Sequence, residues 1–138
     1  MAHLNIEADD KNLDTVNDFI HSHLEKLGCP MKEIMQIDLA VEEIFVNIAH
    51  YAYNPNKGNV EIDCEVEESS PCITIQFSDN GKHFDPLQKE DPDITASAEE
   101  RDIGGLGIFL TKKYMDCVEY KYEDGKNILT IGKKFFKD

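Results

Sequence analysis

Glu43 and Asn47 lie four residues apart in the run Asp38-Leu-Ala-Val-Glu-Glu-Ile-Phe-Val-Asn47, whose apolar members recur at helical spacing. Four-residue spacing puts both side chains on one helix face, a turn apart. An asparagine oxygen is a neutral ligand for Mg²⁺, which takes oxygen donors, keeps waters and bridges phosphates. A carboxylate beside it can accept a proton from a hydroxyl or a water. Taken alone, the pair reads first as the solvated face of an amphipathic helix, since polar residues off an apolar stripe are the norm. Further on, Asp79-Asn80-Gly81 closes an apolar run. A carboxylate there can accept a hydrogen bond from an amino group, or close its own Asx turn. A third group, Gly104-Gly105-Leu106-Gly107, precedes a short helical pattern. Glycines allow close backbone approach, and the free N–H groups opening a helix favour phosphate. This run is neither GxGxxG nor GxxxxGK[ST], so Rossmann and Walker mechanisms are unsupported, and a loop tight only for packing is the other reading.

These residues need elements to hold them. Leu4 to Glu7 predicts a short strand. Leu13, Val16, Phe19, Ile20, Leu24 and Leu27 predict a helix over 11–27, ended by Gly28. Ile34, Ile37, Val41, Ile44 and Ile48 predict a second helix over 31–53, stopped by Asn54-Pro55-Asn56-Lys57-Gly58. Two strands follow: Val60, Ile62, Cys64 and Val66 alternate with acidic residues, then Ile73, Ile75 and Phe77 with polar ones. Residues 87–103 are polar, acidic and aperiodic, the kind of long segment that is functional or mobile in a small domain. A helix over 108–114 and a hairpin turning at Asp124-Gly125 complete the chain. The expected class is α+β, a two-layer sandwich of helices on a mostly antiparallel sheet. At 138 residues it forms a single domain, 1–138, long enough for a real core.

With 28 acidic and 14 basic side chains, the net charge is −14. That surface repels nucleic acid and anionic lipid at long range, while a local anion pocket remains compatible with screening. No apolar run is long enough to span a bilayer, and the N-terminus lacks a signal-peptide pattern. The four cysteines show no CxxC pairing, so reduced, buried thiols and a cytoplasmic location are expected. The histidines lack metal-site spacing and are expected in surface or packing roles.

The three groups, in order, resemble the N box and two glycine boxes of the gyrase/Hsp90/histidine kinase/MutL ATPases, with the histidine-kinase-like (Bergerat) fold. The flanking text, Asp38 to Asn47, Tyr51-Ala-Tyr53, Phe84-Asp-Pro86 and Gly104-Gly-Leu-Gly-Ile108, is similar to the bacterial anti-sigma regulatory serine/threonine kinases. The resemblance covers essentially the whole chain. It implies that Asn47 ligates Mg²⁺ on the ATP phosphates, that Asp79 binds the adenine amino group, and that Gly81 lets the base approach. It implies phosphate contacts from Gly105, Leu106 and Gly107, a lid over 87–103, and Arg101 as a cation for the γ-phosphate. The other reading of Arg101 is an ordinary solvated lid charge. Glu43 would be the catalytic base towards a serine or threonine. The implied substrate is a STAS-domain anti-sigma antagonist; a sigma factor and a second copy of the chain are further implied partners. Members often carry Gly-Thr in the last hairpin, where this chain has Gly125-Lys126-Asn127. No upstream phosphoacceptor helix pair or second domain is expected, which leaves a stand-alone module. The alternative function is an ATP-gated protein-binding module without phosphoryl transfer.

Overall fold

The computed structural model describes residues 2–53, 56–88 and 105–135. Strands β1 (Ala2–Glu7), β2 (Asn59–Glu67), β3 (Cys72–Asp79), β4 (Cys117–Glu123) and β5 (Lys126–Lys134) accompany helices α1 (Leu13–Leu27), α2 (Met31–Asn47) and α3 (Gly105–Tyr114). The strands form one antiparallel sheet in the order β1-β2-β3-β5-β4.

Strand alternation supplies one apolar face. Val60, Ile62 and Cys64 of β2, Ile73, Ile75 and Phe77 of β3, and Leu129 and Ile131 of β5 are buried. They join Val16, Ile20 and Leu24 of α1 and Ile37, Val41, Ile44 and Phe45 of α2 in a single core. Each such side chain contributes about 1.5–3 kcal/mol when fully buried. The helices therefore lie on one side of the sheet, giving the two-layer α+β sandwich that the periodicity predicts.

Turn chemistry sets the connections. Gly28 closes α1 at φ 70°, where its N–H reaches the carbonyl of Glu25. Asp124 and Gly125 both have positive φ, 54° and 76°, which matches the twist of the β4–β5 hairpin.

Two helix boundaries differ from the periodicity by three residues or more. The α-helix expected over 31–53 ends at Asn47 and continues as one π-helical turn, Ile48–Ala52. The wider turn re-aims the chain, so that Ala52 and Tyr53 meet the end of β3. Helix α3 begins at Gly105, three residues before the predicted Ile108. Glycine is a poor helix former, so local preference sets the start too late, and the packing of α3 against α2 overrides it. Of the cysteines only Cys64 is buried; Cys29 and Cys72 are partly exposed and Cys117 is exposed. Three histidines each meet one aspartate: His3 with Asp63, His21 with Asp38 and His50 with Asp10, all at 2.5–2.6 Å. Among the described residues no helix is long and apolar enough to cross a membrane.

Candidate functional site

Helix α2 carries Glu43 and Asn47 on the side that faces α3. Asn47 Nδ2 donates to Glu43 Oε1 at 3.1 Å. The bond fixes the amide orientation and leaves Asn47 Oδ1 without a hydrogen bond among the described residues. The Glu43 carboxyl group is half-buried. Burial pushes its pKa up, the Asn47 amide draws it down, and the like charge of Glu42 raises it again.

Gly107, in the first turn of α3, lies against this carboxyl group. A Cβ at Gly107 would overlap Cγ, Cδ and Oε2 of Glu43. The buried Thr111 hydroxyl donates to the Gly107 carbonyl at 2.9 Å and fastens that turn. A carboxylate, an amide oxygen and the start of a helix thus converge.

The second half of the site is at the end of β3. Asp79 is only 6% exposed, so its carboxylate sits among protein atoms. Oδ1 accepts the Gly81 N–H at 2.9 Å and Asn127 Nδ2 at 3.1 Å. Oδ2 makes no hydrogen bond among the described residues. The Asx turn and a ligand-binding carboxylate are therefore compatible: one oxygen closes the turn and the other is left over. Burial pushes the Asp79 pKa up, and the hydrogen bonds from Asn127 and Gly81 oppose it.

The π turn secures the loop that follows. The Lys82 N–H donates to the Ala52 carbonyl at 2.8 Å, and the Asn80 N–H to the Tyr53 hydroxyl at 2.8 Å. That hydroxyl donates to the Asn59 carbonyl at 2.7 Å. A Cβ at Gly81 would overlap the Ala52 carbonyl, so glycine here is required by contact with backbone, whatever else approaches it.

Glu43, Asn47 and Gly107 come together, and Asp79 and Gly81 form the neighbouring loop. Gly105 and Leu106 belong to the first turn of α3. Arg101, Gly104 and most of the segment read as a lid, from 89 onward, lie outside the described residues. Two residues matter beyond those the motifs identify. Tyr53 stood only within a resemblance, and its bridging role follows from the unforeseen π turn. Asn127 marked a departure from family text, yet it is a buried hub directly opposite Asp79 in the β3–β5 register. A buried polar residue just after the Asp-Gly turn was the available signal.

The donor set fits a purine nucleotide with magnesium. A buried carboxylate oxygen lacking a partner suits an exocyclic amino group, and an amide oxygen beside a carboxylate suits a hard cation. Among the described residues no cluster of three or more histidine, cysteine or acidic side chains forms a protein-only metal site. That is compatible with an ion held partly by phosphates.

Comparison with known proteins identifies the domain family. The profile of the histidine kinase-like ATPase domain matches residues 6–133. The chain is 27% identical over 95 residues to the serine/threonine-protein kinase BtrW of Bordetella bronchiseptica, covering 69% of this chain and 66% of that protein. It is 28% identical over 109 residues to the serine-protein kinase RsbW of Listeria monocytogenes, covering 75% and 68%. The match thus spans about two thirds of the length of these relatives. Among solved structures, the RsbU and RsbW domains of Rv1364c from Mycobacterium tuberculosis superpose with a TM-score of 0.67 at 13% identity, over 99% of this chain and 34% of that one. The SiaB-SiaC complex from Pseudomonas aeruginosa gives 0.63 at 13% identity, over 98% and 90%. At such identity the superpositions speak for the fold, while the profile covers nearly the whole chain: this protein belongs to the histidine kinase-like ATPase domain family.

Proposed function

We propose that this protein is an ATP-dependent protein serine/threonine kinase whose substrate is a STAS-type anti-sigma antagonist, within a partner switch that also engages a sigma factor. The observation that carries the reading is the half-buried Glu43 carboxyl group, held by Asn47 and set against Gly107 where α3 begins. A carboxylate at the phosphate end of a nucleotide site is placed for proton abstraction, not for base recognition.

In this reading Asp79 Oδ2 accepts the adenine amino group. The first turn of α3, Gly105 to Gly107, approaches the phosphates through its backbone, with Arg101 as the γ-phosphate cation. Asn47 Oδ1 would hold Mg²⁺, which would supply neutralisation of the phosphate charge. Glu43 takes the proton of the acceptor hydroxyl as that oxygen bonds to the γ-phosphorus and the bond to the β-phosphate oxygen breaks, releasing ADP. A pKa raised by burial makes the ionised carboxylate a stronger base.

A surface feature supports a protein acceptor. Met31, Met35 and Leu39 are 68%, 64% and 38% exposed. With Glu43 and Asn47 they form one row of four-residue steps along α2, about 6 Å per step. An apolar ridge that runs into the base suits a folded partner presenting a hydroxyl. Phosphorylation adds about −1.5 to −2 charges to that partner, and the net charge of −14 would help expel the product. A cytoplasmic location, expected from the unpaired cysteines, and a homodimer, implied by the family resemblance, complete the proposal.

The test is incubation with γ-labelled ATP, magnesium and a panel of STAS-domain proteins from the same genome. Label should appear on a serine or threonine, and Glu43→Gln should slow its appearance by about 10²–10⁴-fold while ATP still binds. Equal transfer by the variant, or ATP-dependent partner capture without any transfer, contradicts the assignment.

A further inference from the structure

We infer that Asn127 sets which purine the Asp79 site accepts, by holding the Asp79 carboxylate with Oδ1 engaged and Oδ2 alone free to meet a base. The inference rests on the purine-site reading of Asp79 and assigns a positioning residue to it.

Asn127 and Asp79 are paired across β3 and β5, which brings their side chains onto one face. Asn127 is 7% exposed, and both ends of its amide are in use. Nδ2 donates to Asp79 Oδ1 at 3.1 Å and to the Lys82 carbonyl at 2.8 Å. Oδ1 accepts the Phe84 N–H at 3.2 Å and the Tyr120 hydroxyl at 2.5 Å. A backbone N–H can only donate, so a flipped amide would face Phe84 with its own N–H groups. The amide therefore has one orientation, and that orientation aims a donor at Asp79.

The arrangement bears on the charge of Asp79. Burial favours the neutral acid, and two N–H groups, from Asn127 and Gly81, oppose it. The titratable groups facing Asp79 are Tyr53 and Tyr120, both phenols whose pKa is pushed up, first by burial. Among the described residues no cation pairs with Asp79. An ionised Oδ2 only accepts and so selects a 6-amino purine. A protonated carboxyl donates and would favour the 6-keto group of hypoxanthine or guanine. Asn127 is thus the side chain that ties base choice to the charge on Asp79.

The experiment measures binding of Mg-ATP and Mg-ITP by calorimetry between pH 5 and 8, for the native protein, Asn127→Asp and Asn127→Leu. The native protein should favour ATP by roughly 10- to 150-fold, the value of one hydrogen bond to a charged group, with the ratio narrowing only towards acid pH. Asn127→Asp sets two carboxyl groups in contact, which share a proton, and the ratio should collapse or invert at neutral pH. Asn127→Leu removes the donor, and the pH at which the ratio narrows should rise. A native protein that binds neither nucleotide refutes the purine site itself. ATP binding with native selectivity and pH dependence in both variants, or equal loss of both nucleotides, overturns the role of Asn127 and leaves the site standing.

Discussion

Gly107 and Glu43 occupy space that only a glycine leaves free: a Cβ on the first turn of α3 would fall within the Glu43 carboxyl group. The atoms in the way belong to the end of a flexible side chain, so Gly107→Ala should move Glu43 before it disturbs the fold. Alanine also gains up to about 1 kcal/mol of helix preference. Thermal unfolding should stay close to native or rise slightly. Phosphoryl transfer should fall about 100-fold, the usual cost of misplacing a reacting group by about 1 Å.

The pH profile of transfer should carry the signature of Glu43. Burial, followed by the nearby Glu42 charge, pushes its pKa above the usual 4.5, against the pull of Asn47. A general base works ionised, so the rate should climb with pH through a midpoint above 4.5. Glu43→Gln should be slower by about 10²–10⁴-fold and should lack that limb. Stopped assays of kcat/KM across pH, at Mg-ATP well below saturation, report the free enzyme and separate the two.

Asp79→Asn should trade binding for stability. The folded pKa of Asp79 lies above its ordinary 3.8, so between those values the folded state binds more protons than the unfolded one. Stability therefore declines as pH rises through that window, and the full cost is present above it. Asparagine can keep Oδ1 as acceptor for Gly81 and Asn127 without the buried charge. Without nucleotide the variant should melt at or above the native temperature at pH 7, and the gap should close on acidification. Its ATP affinity should drop by about 1.5–3 kcal/mol, which calorimetry resolves.

The ridge on α2 calls for a different readout. Met31→Asp or Met35→Asp removes apolar surface that is already largely exposed, so folding should be unaffected. Burying a Met or Leu at an interface is worth about 1.5–3 kcal/mol, so KM for the protein substrate should rise about tenfold or more. The Kd for Mg-ATP should stay native.

Periodicity carried the architecture because one buried face per strand and one stripe per helix leave little choice. Val60, Ile62 and Cys64, or Val16, Ile20 and Leu24, announce their partners by spacing alone. The three motif groups were legible only together: each alone also read as an ordinary helix face, Asx turn or packing loop, and their order joined them through the family resemblance. What escaped was non-local. The π turn at Ile48–Ala52 has no distinctive local text, so the Tyr53 bridge to Asn59 and Asn80 could not be foreseen. The Asp79–Asn127 pair depends on strand register across 48 residues, and alternation leaves that register undetermined. The α3 start was hidden because Gly105 and Gly107 oppose helix locally, while contact with α2 favours it.

The most direct trial is calorimetric titration of ATP into the native protein and Asp79→Ala, each with and without magnesium. The account requires saturable binding by the native protein, tighter with magnesium, and loss of most of that affinity in the variant. Heat that is absent from the native titration, or unchanged by removing the Asp79 carboxylate, would contradict it.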